Sequence, residues 1–309
     1  VSAMADKRTP EWMQRKERGS LFWLRVMRWI SLSFGRRASR LIVYGIALYF
    51  LLAVAPARAA LREFLPRVLG RPAGWLDLYR HILAFASTIH DRTYLLNDCF
   101  DEFDLRQIGA EVLHELHARD GGFFLFGAHV GSFEVMRSLA RANPRLKVSM
   151  AMYPDNARLI NSALSAINPD AMQDIIPLGR LDSMLEVHNR LIEGAMVGIL
   201  ADRASGDDAY ETLDFLGSPA HFPSGPFRMA AMLRHPVFFM IGLYRGGKRY
   251  DVHFEQIADF SQVGPRERDA AIRAAMENYV RVLEKHVRAA PHNWFNFFDF
   301  WKSARAEHS

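Results

Sequence analysis

Residues Phe123–Glu134 read FFLFGAHVGSFE. The run FFLF, broken by Gly127, is short, wholly apolar and aromatic, which predicts a buried strand. Gly131 permits a tight turn, and Phe133–Ala142 then has helical character. The same alternation recurs downstream. Lys147–Tyr153 (KVSMAMY), Asp174–Gly179 (DIIPLG) and Val197–Arg203 (VGILADR) read as strands, with helices expected over Asn156–Ile167 and Asp182–Glu193. Strands alternating with helices predict an α/β fold with a mostly parallel central sheet flanked by helices. VFFMIGLYRG and RYDVHFEQI, joined at Gly246-Gly247, predict an antiparallel hairpin on that sheet. Helices are expected over Trp75–Asn97, Leu105–Ala118 and Arg266–Arg288.

Ligands of such sheets sit outside the carboxyl ends of the strands, where His129 and Asp202 both fall. His129 is followed five positions later by Glu134. With 12 histidines and 34 acidic residues, a chance match of this spacing is expected. His188 and Glu193 supply one, inside a helix that turns their side chains apart. His129 instead lies in a turn, from which its ring could fold over Glu134 in the first helical turn. An imidazole backed by a carboxylate suits a general base, because the carboxylate fixes the tautomer and stabilises the imidazolium. Backbone N–H groups around Gly131 and Ser132 would add positive character. The plain alternative is a histidine that caps a helix.

Composition narrows the setting. Half of the 309 residues are hydrophobic, enough for a sizeable core. Cys99 is the single cysteine, which excludes an intrachain disulfide and a cysteine-rich zinc site. No HExxH, P-loop or GxGxxG occurs, so neither a metal nor a nucleotide cofactor is expected. Without a Gly-x-Ser-x-Gly elbow, an acyl-enzyme is disfavoured. Residues 1–40 carry net charge +7 and the remainder about −2. Ser20–Gly35 mixes aromatics with arginines on an amphipathic pattern, and Leu41–Ala57 is seventeen residues without a charge. This combination points to an anionic membrane surface rather than nucleic acid, with the apolar stretch spanning or dipping into the bilayer. Basic residues flank that stretch on both sides, so charge gives no orientation. No cleavable signal peptide is expected.

GAHVGSFE, then LADR (Leu200–Arg203), then DFLGSPAHFPSGPFRMA (Asp214–Ala230), then an aromatic ending at Phe300–Lys302, resemble in order and spacing the lipid A late acyltransferase branch of the lysophospholipid acyltransferase superfamily. WMQRKERGS (Trp12–Ser20) and APHNWFNFFDFW (Ala290–Trp301) are similar to acyltransferases of aryl polyene, xanthomonadin-type pigment pathways. The resemblance implies an acyltransferase domain over residues 74–309, behind a membrane-associated helical region over 1–73. It implies direct transfer from an acyl carrier protein or coenzyme A thioester to a hydroxyl or amine of a lipid, at the cytoplasmic face of the inner membrane. His129 would be the base and Glu134 its orienting carboxylate. Arg158 and Arg203 would be candidate oxyanion cations, and Asp202, Ser224 and Gly225 would shape the substrate site. Where lipid A enzymes usually carry Asp-Gln, a Trp-x-His tail and a Tyr-Arg pair after the second strand, this chain has Asp202-Arg203, Trp294-Phe295-Asn296 and Met152-Tyr153. Those departures point away from lipid A itself as acceptor. A lipid A acyltransferase proper and a catalytically silent lipid-binding scaffold are the competing expectations.

Overall fold

The computed structural model describes residues 20–111, 121–135, 147–154, 175–179, 182–203 and 209–302, with isolated positions between and beyond them. Arg158, most of the helix expected over Asn156–Ile167 and the basic residues before Ser20 lie outside the described residues.

Three helices come first: α1 (Ser20–Ala53), α2 (Ala55–Leu69) and α3 (Trp75–Leu96). Gly35, at φ 76° and ψ 167°, breaks the regular path of α1. A second break of 92° separates α1 from α2, where Pro56 opens the new helix. The sheet then assembles from β1 (Asp104–Ile108), β2 (Phe123–Gly127), β3 (Val148–Met152), β4 (Ile175–Pro177), β5 (Met196–Leu200), β8 (Pro236–Tyr244) and β9 (Arg249–Asp259). Helix α4 (Ser183–Ile192) precedes β5, α5 (Gly225–Leu233) precedes β8, and α6 (Arg268–Ala289) follows β9. A two-stranded hairpin, β6 (Tyr210–Phe215) and β7 (Ser218–Pro223), stands apart from the main sheet.

Strand order is β1-β9-β8-β2-β5-β3-β4, and every adjacent pair is parallel except β8 with β9. The mostly parallel sheet and its antiparallel hairpin are therefore as the alternation of apolar runs predicts. Two segments differ. Asp104–Ile108 is an edge strand beside β9, not the start of a helix over Leu105–Ala118. Pairing with the exposed edge of β9 overrides the local helical pattern there. The stretch around Asp214, for which no strand is expected, is a hairpin turned at Leu216-Gly217 with φ of 56° and 76°.

Strand β2 is buried along its whole length, as a strand covered on both faces must be. The N-terminal helices share its core: Leu51, Leu61, Phe64 and Leu65 cluster with Phe126, Phe215 and Trp294. Arg36 is turned inward. Its Nε and Nη2 bond the two oxygens of Asp91 on α3 at 2.9 and 3.0 Å, and the Tyr250 hydroxyl donates to the same carboxylate at 2.8 Å. Arg40 bonds the Gly247 carbonyl at 2.9 Å and the Tyr244 hydroxyl. These two arginines thus hold α1 to the β8–β9 hairpin and are not spent on an external anion. The opposite side of α1 exposes Trp29, Phe34, Leu41, Tyr49, Phe50 and Leu52. Among the described residues no single helix is long and apolar enough to cross a membrane, though the bent α1–α2 pair is so by length and composition together.

Candidate active site

Parallel pairing of β2 with β5 sets the site. Gly127 lies opposite Leu200 in the register, so His129 and Asp202 each stand two residues beyond the carboxyl end of neighbouring strands. Asp202 accepts two bonds from His129, from Nδ1 at 2.8 Å and from the backbone N–H at 3.0 Å. An ionised carboxylate only accepts, so Nδ1 carries the proton and Nε2 presents its lone pair. Nε2 has no bond among the described residues. The imidazole is 32% exposed while Asp202 is fully buried, so the base is reachable and its partner is not.

The charges agree with that division. Burial, with the nearby Arg203 charge, pushes the His129 pKa below 6.5, against the pull of Asp202. The imidazole is therefore neutral at pH 7 and free to accept a proton. Burial alone would raise Asp202. The two hydrogen bonds from His129, with the Arg203 charge, overcome it and hold the carboxyl at about 2. Burial lowers Arg203 to about 10, so it keeps its charge at neutral pH.

The turn after His129 is held from three directions. Val130 N–H bonds Ala128 at 2.7 Å, Gly131 N–H bonds Asn293 at 2.8 Å, and Ser132 N–H bonds Gly242 at 2.8 Å. Gly131 has φ +66°, and a Cβ there would come within 1.9 Å of the Gly242 carbonyl oxygen. Only glycine fits. Because the Gly131 and Ser132 N–H groups are spent inside the fold, they do not form the free donors expected of this turn. Positive charge at the site comes from side chains instead.

Glu134 does not back the imidazole. It is buried, and its Oε1 lies 3.0 Å from Nε of Arg92, on α3. The extended bridges of Val130 with Trp294 and Gly131 with Gly242 separate the histidine from the helix that starts at Phe133, so the two side chains do not share a turn. The carboxylate on the ring is Asp202, expected only among the substrate-site residues. Ser224 and Gly225 lie at the start of α5, where the Ser224 hydroxyl bonds the Ala209 carbonyl at 3.1 Å. No bond joins either residue to the His129 group among the described residues.

Arg203 does join it. Its Nε donates to Asn296 Oδ1 at 2.7 Å, its Nη2 to the Phe295 carbonyl at 3.1 Å, and its guanidinium lies over the Phe298 ring. Phe295 N–H in turn bonds the His129 carbonyl at 2.7 Å. Arg92 carried no signal in the sequence, being an ordinary helical arginine, and Asn296 entered it only as a departure from the usual Trp-x-His tail. Around Asn296 the aromatic residues Trp294, Phe295, Phe300 and Trp301 are all buried. Among the described residues no group of three or more His, Cys, Asp or Glu is placed to hold a metal ion.

An accessible neutral imidazole, a buried carboxylate on Nδ1 and a fixed arginine, at the strand ends of a parallel α/β sheet, form a constellation able to activate a hydroxyl or amine. Residues 81–303 match the family of bacterial lipid A biosynthesis acyltransferases. The match covers more than half of the chain, including His129, Asp202, Arg203 and Asn296, and the chain belongs to this family of acyltransferases. No curated protein matches it.

Proposed function

We propose that the protein transfers a fatty or polyene acyl chain from an acyl carrier protein or coenzyme A thioester to a hydroxyl or amine of a lipid, at the cytoplasmic face of the inner membrane. His129 Nε2 removes the proton as the acceptor oxygen or nitrogen attacks the thioester carbonyl. The C–S bond then breaks, and the imidazolium returns the proton to the leaving thiolate. Asp202 keeps the tautomer and stabilises the imidazolium. Arg203 meets the charge that develops on the carbonyl oxygen, in the role also proposed for Arg158; such a donor is typically worth about 3 kcal/mol. Glu134, paired with Arg92, serves the fold rather than the transfer. Ser224 and Gly225 shape the acceptor side only through the start of α5.

The observation that carries this reading is the 2.8 Å contact between Asp202 and a part-exposed imidazole whose other nitrogen has no bond among the described residues. The exposed aromatic and aliphatic side of α1 favours attachment of residues 1–73 to a lipid surface, which would present the acceptor to residues 74–309. Departures of the tail and of Arg203 from the usual lipid A pattern favour a pigment-pathway lipid as acceptor. The test supplies labelled acyl thioesters to membranes containing wild type or His129→Ala protein and identifies the lipid that gains mass. Label on a membrane lipid with wild type alone supports the proposal. Equal labelling by both proteins, or none by wild type with either thioester, refutes it.

A further inference from the structure

The segment Asn293–Phe298 touches both halves of the proposed machinery. It binds the turn that carries the base, through Phe295 N–H to His129 at 2.7 Å and through Asn293 to Gly131 N–H at 2.8 Å. Asn293 is itself locked to β8, accepting from Tyr244 N–H at 2.8 Å and donating to the Tyr244 carbonyl at 3.1 Å. The same segment binds the cation, through Asn296 and Phe295 to Arg203.

An arginine side chain has four rotatable bonds, so sequence adjacency to Asp202 does not place its guanidinium. Two bonds and one ring do, and all three come from the C-terminal segment. Guanidinium only donates, so the Asn296 oxygen, not its nitrogen, must face Nε. Asn296 is buried, so this acceptor does not exchange with bulk water. Nη1 has no bond among the described residues.

We infer that Asn296 is a positioning residue for Arg203, and that the C-terminal segment sets the separation of base and cation. The inference rests on the proposed acyl transfer. Asn296 acts through its oxygen alone, and it touches neither substrate nor His129.

The experiment measures acyl transfer with Asn296→Leu, Asn296→Asp, Arg203→Ala and the Asn296→Leu/Arg203→Ala double variant in the full chain. Asn296→Leu should lower kcat about 10- to 100-fold, with the thioester KM within about threefold of wild type. The double variant should match Arg203→Ala within about threefold, because one residue acts through the other. Asn296→Asp keeps an acceptor in place and should restore kcat to within about threefold of wild type. Multiplying losses in the double variant, an Asn296→Asp as impaired as Asn296→Leu, or a loss confined to KM overturns the inference. Should Asn296→Leu not fold, Asn296→Gln replaces it. One methylene longer, it displaces the guanidinium and lowers kcat while Asn296→Asp does not, and equal activity of those two overturns the inference. An active His129→Ala protein would refute the base assignment whatever Asn296 does, so the two readings fail separately.

Discussion

His129 and Asp202 are 73 positions apart in the chain and 2.8 Å apart in the fold. The contact follows from one pairing, Gly127 opposite Leu200 across two parallel strands. It assigns the carboxylate of the dyad to a residue outside the His-x4-Glu spacing.

Asp202→Asn should therefore cost more than Glu134→Gln. Asparagine can donate to Nδ1, which would put the proton on Nε2 and silence the base. We expect kcat to fall roughly 10³-fold for Asp202→Asn, and for Glu134→Gln to act chiefly through stability. Steady-state kinetics beside thermal melting separates the two. A Glu134→Gln protein of wild-type stability that has lost as much activity as Asp202→Asn would reverse the assignment.

The pH dependence follows from the His129 shift. The base must be neutral, and its pKa lies below the usual 6.5. Single-turnover rates should be level above about pH 6.5 and fall only below it. A midpoint above 6.5 would contradict the burial and Arg203 charge that depress it.

Arg36 and Asp91 are 8% and 0% exposed, and removing one leaves the other charged in the core. Asp91→Asn or Arg36→Ala should destabilise the fold by about 3–5 kcal/mol, against less than about 0.5 kcal/mol for Arg37→Ala on the exposed side of the same helix. Urea unfolding gives both numbers.

His81 is fully buried on α3 among Phe64, Phe295, Phe297 and His292, and burial lowers its pKa to about 3. The unfolded chain binds this proton near 6.5 and the folded chain does not. Stability is then level with respect to His81 above that pH and is lost as pH falls from 6.5 toward 3. The full loss is on the order of 5 kcal/mol for this one group. His81→Phe should flatten the acid side of a Tm-against-pH profile, provided the native packing survives.

The exposed apolar side of α1 gives a binding prediction. Leu41 and Tyr49 are 71% and 64% exposed. Leu41→Glu with Tyr49→Glu should weaken co-sedimentation with anionic vesicles at least about tenfold, since each lost insertion costs on the order of 1.5–3 kcal/mol. Unchanged sedimentation of a folded variant would remove this face from the interaction.

Apolar runs with turn residues between them determined the parallel layers, the β8–β9 hairpin and the long helices, because strand and helix periods are local properties of the chain. The chain's apolar, aromatic α1 and the histidine at the end of β2 were legible for the same reason. The strand status of Asp104–Ile108 was not, because an edge strand's pattern is completed by its neighbour. Nor were the partners of His129, Glu134 and Arg203. Which strands lie side by side, and which terminal segment closes over them, depends on contacts between residues tens to hundreds of positions apart. No spacing within the motif encodes these, and only the packed sheet brings Asp202 to the imidazole and Asn296 to the guanidinium.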